Sequence, residues 1–405
     1  QSGRMSCTSR PNPSVPESQC LYENSDGNHC TIGSCFPFVL GTLIATLQNL
    51  VRISFMLHYS SSKLACSGSS KRMLFSTSTT ATNLLPKYLK IQPEVEQAVE
   101  AGRPVVALES TIVAHGMPFP ENLELAREVE NILRSKGCTP ATIAIKDGIC
   151  RIGLESKELE DLARAGEEGR AKKCSTRDLP MILASASIAK SGTNTSSSGH
   201  QWGATTVAST MRLAHLAGIS TFVTGGIGGV HRDGQVSMDV SADLTELGQT
   251  PVVVVSAGIK SILDIQRTLE VLETNSVPTM GWQTDEFPAF FSPHSGVACP
   301  ARVDTAEVVA QAFWASRALE LPQGMLVAVP NHDPAGANVE NAIQVALKEA
   351  NELHISGQAV TPYILKAVAQ KTGGDSLRSN MALVKQNAEV GAQIAIAISR
   401  SRPQI

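Results

Sequence analysis

The chain has 405 residues, of which 42% are hydrophobic, 18% charged and 4% aromatic, so it can bury a sizeable core built mainly from aliphatic side chains. The net charge of −3 at pH 7 excludes a strongly basic surface, and we therefore predict no nucleic-acid partner. A small phosphorylated substrate needs only one or two well-placed cations. The nine cysteines contain no CxxC pair, which argues against a zinc or redox motif and favours isolated thiols.

The first 84 residues differ in composition from the rest of the chain. No acidic residue occurs between Asp26 and Glu94, whereas basic, Ser and Thr residues are frequent, as in organelle transit peptides. We predict a disordered targeting leader over residues 1–84. It would direct the protein to an organelle, with the mitochondrion expected first and plastid or peroxisome as alternatives; without such a leader the protein would be cytoplasmic. The apolar run at 36–51 is shorter than the roughly 20 residues of a membrane span, so no stable membrane anchor is predicted.

From Leu85 onward, short apolar runs alternate with segments of helical period. The predicted strands are residues 104–108, 141–145, 219–224, 251–256, 277–282 and 325–329. The predicted helices include residues 122–136, 204–216, 261–274, the stretch from 339 onward and a closing helix at 376–401. This alternation is typical of the α/β class, here a largely parallel central sheet with helices on both faces (α/β/α) in a single catalytic domain, residues 85–405. A Ser/Gly-rich stretch at 185–201 is predicted to be a flexible insertion between a strand and the next helix.

Polar residues follow three of the predicted strands, where ligands collect in parallel sheets. Lys260 lies at a strand-to-helix junction and precedes apolar residues. A lysine shielded from water is a nucleophile toward sugar carbonyl carbons, although a helix-start lysine pointing into solvent is the alternative. Glu109 ends the first core strand and suits a general acid or base, or else a cap of free helix amides.

A glycine-rich loop and an acidic pair supply two further candidate sites. The loop at 225–231, with His231 and Arg232, is compatible with a phosphate cradle, but glycine turns are common in this architecture. It matches neither a Walker loop nor a dinucleotide fingerprint. Asp239 and Asp243 are four residues apart, a spacing that can place both on one helical face. Either one carboxylate binds a hard cation while the other caps a helix, or the two carboxylates have only capping or solvent-exposed roles.

Several sequence blocks together resemble the pseudouridine-5′-phosphate glycosidase family. They occur in the family's order and are residues 104–118, 173–180, 203–207, 223–232, 238–244, 256–264, 285–291 and 372–380. The resemblance covers the chain from about residue 85 to its end. It implies an α/β/α fold and a homotrimer that cleaves, reversibly, the C–C glycosidic bond of pseudouridine 5′-phosphate, giving uracil and ribose 5-phosphate.

The resemblance also implies roles for individual residues. Lys260 would be the covalent nucleophile, forming a lysine–sugar imine adduct, and Glu109 the proton donor. Asp239 would hold one divalent cation, typically manganese. The substrate would contact Lys173, Val207, Ser241, Ala242, Asp243, His231 and Asn380.

Two rival functions share parts of this pattern. A Schiff-base lyase or aldolase acting on another sugar phosphate would need Lys260 and Glu109 but no uracil site. A non-catalytic sugar-phosphate-binding protein would keep the fold without forming an adduct. The partners predicted in each case are small molecules rather than nucleic acid.

Overall fold

A computed structural model of the chain describes residues 21–23, 29–31, 85–190, 202–336, 338–355 and 360–403. The chain divides into two compact units, Gln1–Ser76 and Thr77–Ile405. Within the first unit, the described residues form β1 (Leu21–Glu23) and β2 (His29–Thr31), which pair antiparallel. The rest of the predicted leader, including the apolar run at 36–51, lies outside the described residues.

The second unit is built on an 11-stranded sheet. Its strands are β3 (Leu89–Ile91), β4 (Val105–Leu108), β5 (Thr139–Lys146), β6 (Ile149–Ile152), β7 (Ala171–Cys174), β8 (Trp202–Thr205), β9 (Thr221–Val223), β11 (Val253–Ser256), β13 (Thr279–Trp282), β14 (Ala301–Val303) and β15 (Met325–Ala328). In the order β14-β13-β15-β11-β9-β4-β5 every neighbouring pair is parallel. The antiparallel pairs β5–β6 and β5–β8 extend the sheet beyond this parallel part. Each of the six predicted strands is present.

Helices cover both faces of this sheet. They are α1 (Leu85–Tyr88), α2 (Pro93–Glu100), α3 (Thr111–His115), α4 (Glu121–Ser135), α5 (Ser156–Glu167), α6 (Leu179–Lys190), α7 (Val207–Leu216), α8 (Gly234–Ser237), α9 (Ala242–Leu247), α10 (Ile265–Thr274), α11 (Ala306–Ala318), α12 (Val339–Glu352), α13 (Val360–Lys371) and α14 (Asp375–Arg400). A 3-10 turn at Thr176–Asp178 precedes α6, and two short strands, β10 (Val230–His231) and β12 (Leu263–Asp264), pair antiparallel beside the sheet. The predicted α/β/α class is confirmed.

The start of the predicted insertion differs in the structure. Ser185 to Lys190 are helical and complete α6, so the described chain enters the segment from a helix and leaves it into β8. Ala and Ile in this stretch allow the helix to continue before the glycines begin. Residues 191–201 lie outside the described residues.

The long closing helix α14 packs against β4, β9 and β11 in the middle of the sheet, with α4 and α11 beside it. Its contact with β9 requires a glycine, because a Cβ atom on Gly391 would lie 2.2 Å from Cγ2 of Val223. The core strands are almost fully buried, with exposure of 0% at Val254 and Val255. Such burial on both faces explains their continuous aliphatic sequences.

The described cysteines are free thiols. Cys138, Cys150 and Cys174 are buried, and burial raises the pKa of Cys174 to about 12. A thiol with so high a pKa is a poor nucleophile, which agrees with a packing role. Among the residues that the structure describes, no helix combines the length and the apolar character that crossing a bilayer requires.

Candidate active site

A cavity of about 270 Å³ opens at the carboxyl ends of the central parallel strands. The turn after β4, the loop after β9 and the loop after β11 form its floor, where the sheet topology places ligands. Ten residues that the sequence assigned to the site line this one cavity: Glu109, Lys173, Val207, His231, Asp239, Ser241, Ala242, Asp243, Lys260 and Asn380. Arg232, the other basic residue predicted beside the glycine-rich loop, does not line it and instead donates to Ser261 O and to Glu340. The structure thus brings together residues separated by up to 271 positions (380 − 109).

Glu109 is buried directly after β4, with 7% of its surface exposed. Its Oε1 accepts a hydrogen bond from the Thr224 hydroxyl. Burial raises the pKa of the Glu109 carboxyl above its usual value, and this effect exceeds the opposing influence of Lys260, the Thr224 hydrogen bond and Lys173. Glu109 is therefore suited to hold a proton at a pH where an exposed glutamate would have lost it.

Lys260 follows β11 and reaches the same cavity from the other side of the loop. Its backbone amide donates to Ile227 O at 3.1 Å, and its carbonyl accepts from Leu263 N at 2.9 Å, which fixes the loop that carries the amine. The residue is half-buried and lines the cavity. This placement differs from the alternative of a helix-start lysine directed into open solvent.

A second lysine, Lys173, lies one residue before the end of β7, near the same charged groups. Burial lowers the pKa of its amine, as does the positive charge of Lys260, whereas Asp243, Glu109 and Asp178 act in the opposite direction. Two lysines and two buried carboxylates thus influence one another across a small volume. Two groups with shifted pKa values in one cleft, Glu109 and Lys173, are typical of an active site.

Asp243 has structural duties in addition to lining the cavity. Its Oδ1 accepts from Ala208 N at 2.9 Å, near the start of α7, and its Oδ2 accepts from Gly228 N at 2.8 Å. Ser241 caps α9, since its hydroxyl accepts from Asp243 N at 3.2 Å. The cap of α9 is thus Ser241 rather than either aspartate, and the Asp243 carboxylate ties α7 to the glycine-rich loop.

The glycine-rich loop offers fewer free amides than its sequence suggests. Four amides already donate to protein acceptors: Ile227 N to Gly258 O at 3.1 Å, Gly228 N to Asp243, Val230 N to Thr268 Oγ1 at 2.9 Å and His231 N to Asp239 O at 3.0 Å. Within the described part of the chain, the amides of Gly225, Gly226 and Gly229 have no backbone acceptor, and these three residues line the cavity. A phosphate cradle here would rest on these three amides.

Gly229 is also a packing requirement of the loop, which leads to a prediction about stability. A Cβ atom there would lie 2.4 Å from Oγ1 of Thr268, a fully buried side chain. We expect Gly229→Ala to lower the free energy of unfolding by about 1–3 kcal/mol, the usual cost of overpacking. Urea denaturation measures this. As a control, Gly296→Ala meets open space and tests only the cost of a positive φ; an unchanged midpoint for Gly229→Ala would contradict the prediction.

Asp239 is partly exposed at the rim of the cavity, and its Oδ2 lies 3.7 Å from Nε2 of His231. The resemblance implies a divalent cation at Asp239, and a carboxylate with a neighbouring imidazole suits manganese or magnesium. Among the described residues, no group of three or more His, Cys, Asp or Glu side chains converges. The residues present fit a weakly held cation that takes most of its ligands from water or substrate.

Asn380 projects from α14 into the cavity. It is 6% exposed, and its Oδ1 is buried without a hydrogen-bond partner in the described part of the chain. A buried acceptor left unpaired is costly, so an N–H or O–H group of a ligand would stabilise it. This supports the sequence-based assignment of Asn380 to the substrate site, which remains a prediction.

Sequence reasoning missed several residues that shape the cavity. Thr224 lies at a strand end, like Glu109, so the same strand-end rule would have selected it. Arg177 lies in the sequence block 173–180 and lines the cavity as a further cation. Phe290, in the sequence block 285–291, and Leu365 also line it; Leu365 lies outside these blocks and carries no local signal.

The fold and cavity define a class: an α/β/α enzyme with a half-buried lysine and a buried carboxylate at the ends of parallel strands. Residues 94–397 match the family model described as indigoidine synthase A like protein. The chain is 48% identical over 323 residues to "Pseudouridine-5′-phosphate glycosidase" of Arabidopsis thaliana, covering 79% of this chain and 93% of that protein. It is 50% identical over 324 residues to the protein of the same name from Symbiobacterium thermophilum, covering 78% and 100%. The chain belongs to this family, as its sequence blocks indicated.

Solved structures agree with this assignment. The crystal structure of the prealnumycin C-glycosynthase in complex with ribulose 5-phosphate aligns with a TM-score of 0.67 and 36% identity, over 78% of this chain and 98% of that one. The indigoidine synthase A-like protein from Thermotoga maritima aligns with a TM-score of 0.65 and 36% identity, over 77% and 97%. At 36% identity, these two proteins resemble the chain in sequence as well as in fold.

Proposed function

We propose that this protein is an enzyme that reversibly cleaves the C–C glycosidic bond of pseudouridine 5′-phosphate to give uracil and ribose 5-phosphate. The observation that carries the proposal is the meeting of Glu109 and Lys260 in one cavity of a chain whose relatives are named for this activity. The ribulose 5-phosphate bound by the C-glycosynthase is of the same chemical class as ribose 5-phosphate.

The proposed chemistry begins with opening of the sugar. The Lys260 amine bonds to C1′ while the bond from C1′ to the ring oxygen breaks, and Glu109 gives its proton to that oxygen. The ionised Glu109 then takes a proton from the nitrogen of the adduct, which leaves that nitrogen with a lone pair, and Glu109 returns a proton to C5 of the uracil ring. The lone pair of the Lys260 nitrogen forms the C1′=N imine as the C1′–C5 bond breaks. The electron pair of the C1′–C5 bond returns to the uracil ring. Water hydrolyses the imine and releases ribose 5-phosphate.

Lys173 and the start of α7 supply groups that suit a phosphate. Val207 has an apolar side chain, so its contact with a polar substrate would come from the backbone amide at the N-terminus of α7. Lys173 lies close enough to Glu109 and Asp243 for these two carboxylates to affect the pKa of the Lys173 amine. The amides of Gly225, Gly226 and Gly229 would add donors on the opposite wall.

The direct test is to incubate the protein with uracil and ribose 5-phosphate and to detect pseudouridine 5′-phosphate by mass spectrometry. A lyase or aldolase for another sugar phosphate would yield no C-nucleotide. Borohydride reduction in the presence of ribose 5-phosphate should leave a reduced sugar on the peptide that contains Lys260. Absence of any adduct would favour the non-catalytic binding protein instead.

We also propose that Asp239, with His231 beside it, holds one divalent cation, manganese first. When bound, the cation supplies positive charge that orients water and substrate oxygens. We expect exhaustive chelation to abolish most activity and manganese to restore it, with magnesium and calcium as comparisons. Asp239→Ala should lose the response to added manganese, which equilibrium dialysis measures independently of activity. Full activity after chelation would contradict the proposal.

We propose a homotrimer, as the family resemblance implies. Native mass spectrometry at micromolar concentration tests it, since a trimer of the 42.9 kDa chain is separated clearly from monomer and dimer. A monomer that is fully active would refute it.

We further propose that residues 1–84 direct the protein to an organelle, the mitochondrion first. The acid-poor, Ser/Thr-rich composition supports this. Fusing these residues to a fluorescent reporter tests it, and diffuse cytoplasmic fluorescence would refute it.

A further inference from the structure

Glu109 has a second set of neighbours behind it, away from the substrate cavity. A small cavity of about 30 Å³ lies there, with walls mainly of aliphatic side chains that include Leu108, Val129 and Val384. Thr224 borders this rear cavity and donates its hydroxyl hydrogen bond to Oε1 of Glu109. Two other polar side chains line this cavity, but Asn122 donates to backbone carbonyls and Thr142 donates to Glu130. Among the described residues, the Thr224 hydroxyl is therefore the rear-cavity group that bonds the Glu109 carboxyl.

Thr224 is itself held by the closing helix. Nδ2 of Asn387 donates to Thr224 O at 2.9 Å and to Gly225 O at 3.3 Å. Asn387 is 1% exposed and is not among the residues that line the substrate cavity. Gly391, one turn later, permits the close approach of the helix to β9. The end of β9 is thereby fixed from α14, and Thr224 N completes the attachment by donating to Val255 O at 3.0 Å.

We propose that Thr224 and Asn387 are positioning residues for Glu109: Asn387 fixes the end of β9, and the Thr224 hydroxyl orients the carboxyl for proton transfer. The inference rests on the proposed acid role of Glu109. Neither residue needs to touch the substrate. The Thr224 hydroxyl holds the Glu109 carboxyl on the side away from the substrate, and the buried side-chain amide of Asn387 holds the backbone of Thr224.

The charged groups that face Glu109 decide the direction of the expected change. Lys260 and Lys173 favour its ionised form, and Asp243 and burial favour the protonated form. The Thr224 hydrogen bond also favours ionisation. Its removal therefore raises the pKa of Glu109 further, and the acid form persists to higher pH.

The decisive experiment compares Thr224→Val with Thr224→Ser. We expect Thr224→Val to lower kcat about tenfold with KM changed less than about threefold, and to move the alkaline limb of the kcat profile up by about one pH unit. Thr224→Ser should restore both. Thr250→Val is the matched control, because the buried Thr250 hydroxyl also donates to the carboxylate of a buried glutamate, Glu246, and neither residue lines the substrate cavity or the rear cavity. Unchanged kcat and an unmoved limb in Thr224→Val would overturn the proposal.

A second readout does not depend on activity. In protein labelled with ¹³C at the glutamate carboxyl carbon, Glu109→Gln identifies the Glu109 signal, whose titration should move to higher pH in Thr224→Val. If the wild-type protein proves inactive on pseudouridine 5′-phosphate, the proposed function fails while this titration still judges the positioning role. A titration unaltered by Thr224→Val would refute that role.

Asn387→Ala extends the test to the helix. Asn275→Ala is its control, since Nδ2 of Asn275 also donates to a backbone carbonyl, Val271 O at 2.8 Å, and Asn275 lines neither the substrate cavity nor the rear cavity. Both variants should lower the melting temperature. Only Asn387→Ala should lower kcat per folded molecule and broaden the Glu109 signal; equal effects of the two variants on kcat would contradict a specific role for Asn387.

Discussion

Lys260→Ala is expected to abolish turnover of pseudouridine 5′-phosphate, with kcat reduced by at least about 10⁴-fold, because no other group would form the covalent bond to C1′. The fold should be retained, since the lysine is half-buried at the cavity wall rather than packed in the core. Steady-state kinetics and a thermal melt on the same sample measure the two effects. Lys260→Arg should be equally inactive, because guanidinium keeps the charge but is not a nucleophile at neutral pH.

The matched control for this change is Lys385→Ala. Lys385 lies on α14 and pairs with Glu128 at 2.7 Å on the protein surface, an interaction of about 0–1 kcal/mol. It should leave both activity and the borohydride adduct intact. A Lys260→Ala protein that keeps substantial activity with a normal melt, or that still forms the reduced sugar adduct, would place the nucleophile elsewhere.

The strand-end rule explains why so much of the site was predictable. In a parallel sheet all strands point the same way, so Glu109, the glycine-rich loop and Lys260, each after its own strand, had to meet at one edge. The aliphatic runs located these strands to within about two residues because burial on both faces leaves few polar positions. The family resemblance then added residues, such as Asn380, that no local pattern would select.

What the sequence left open depends on contacts between distant segments. It left open whether Asp243 contacts substrate, caps a helix or binds metal; the structure shows that its carboxylate accepts two backbone amides, from Ala208 and Gly228. No sequence pattern distinguishes Asn387 from other polar residues in a helix. Its role depends on the packing of α14 against β9, which brings Asn387 to the backbone of Thr224 and Gly225. Residues 185–190 of the predicted insertion are helical instead, because local helix propensity extends α6 to Lys190.

A second variant, Glu109→Gln, separates acid catalysis from packing. Glutamine keeps the size of the side chain and an oxygen that accepts from Thr224, but it has no proton to give. We expect kcat to fall about 10²–10⁴-fold, the usual contribution of a general acid. In the wild type, activity should fall as pH rises through the raised pKa of Glu109, whereas the residual activity of Glu109→Gln should lack that limb. An unchanged pH profile would mean that another group donates the proton.

The same substitution should make the protein more stable at alkaline pH. The pKa of Glu109 is raised in the folded state, so the unfolded chain releases this proton at lower pH and stability declines as pH rises from about 4.5 toward the folded value. Glutamine removes that decline, and the melting temperature at pH 8 should exceed that of the wild type. Glu130→Gln is the control, because Glu130 is half-buried, burial raises its pKa, and it also has a threonine partner, Thr142. It should gain stability without losing activity, since it lies outside the substrate cavity, and a loss of activity there would show that burial of charge, rather than proton donation, explains the Glu109 result.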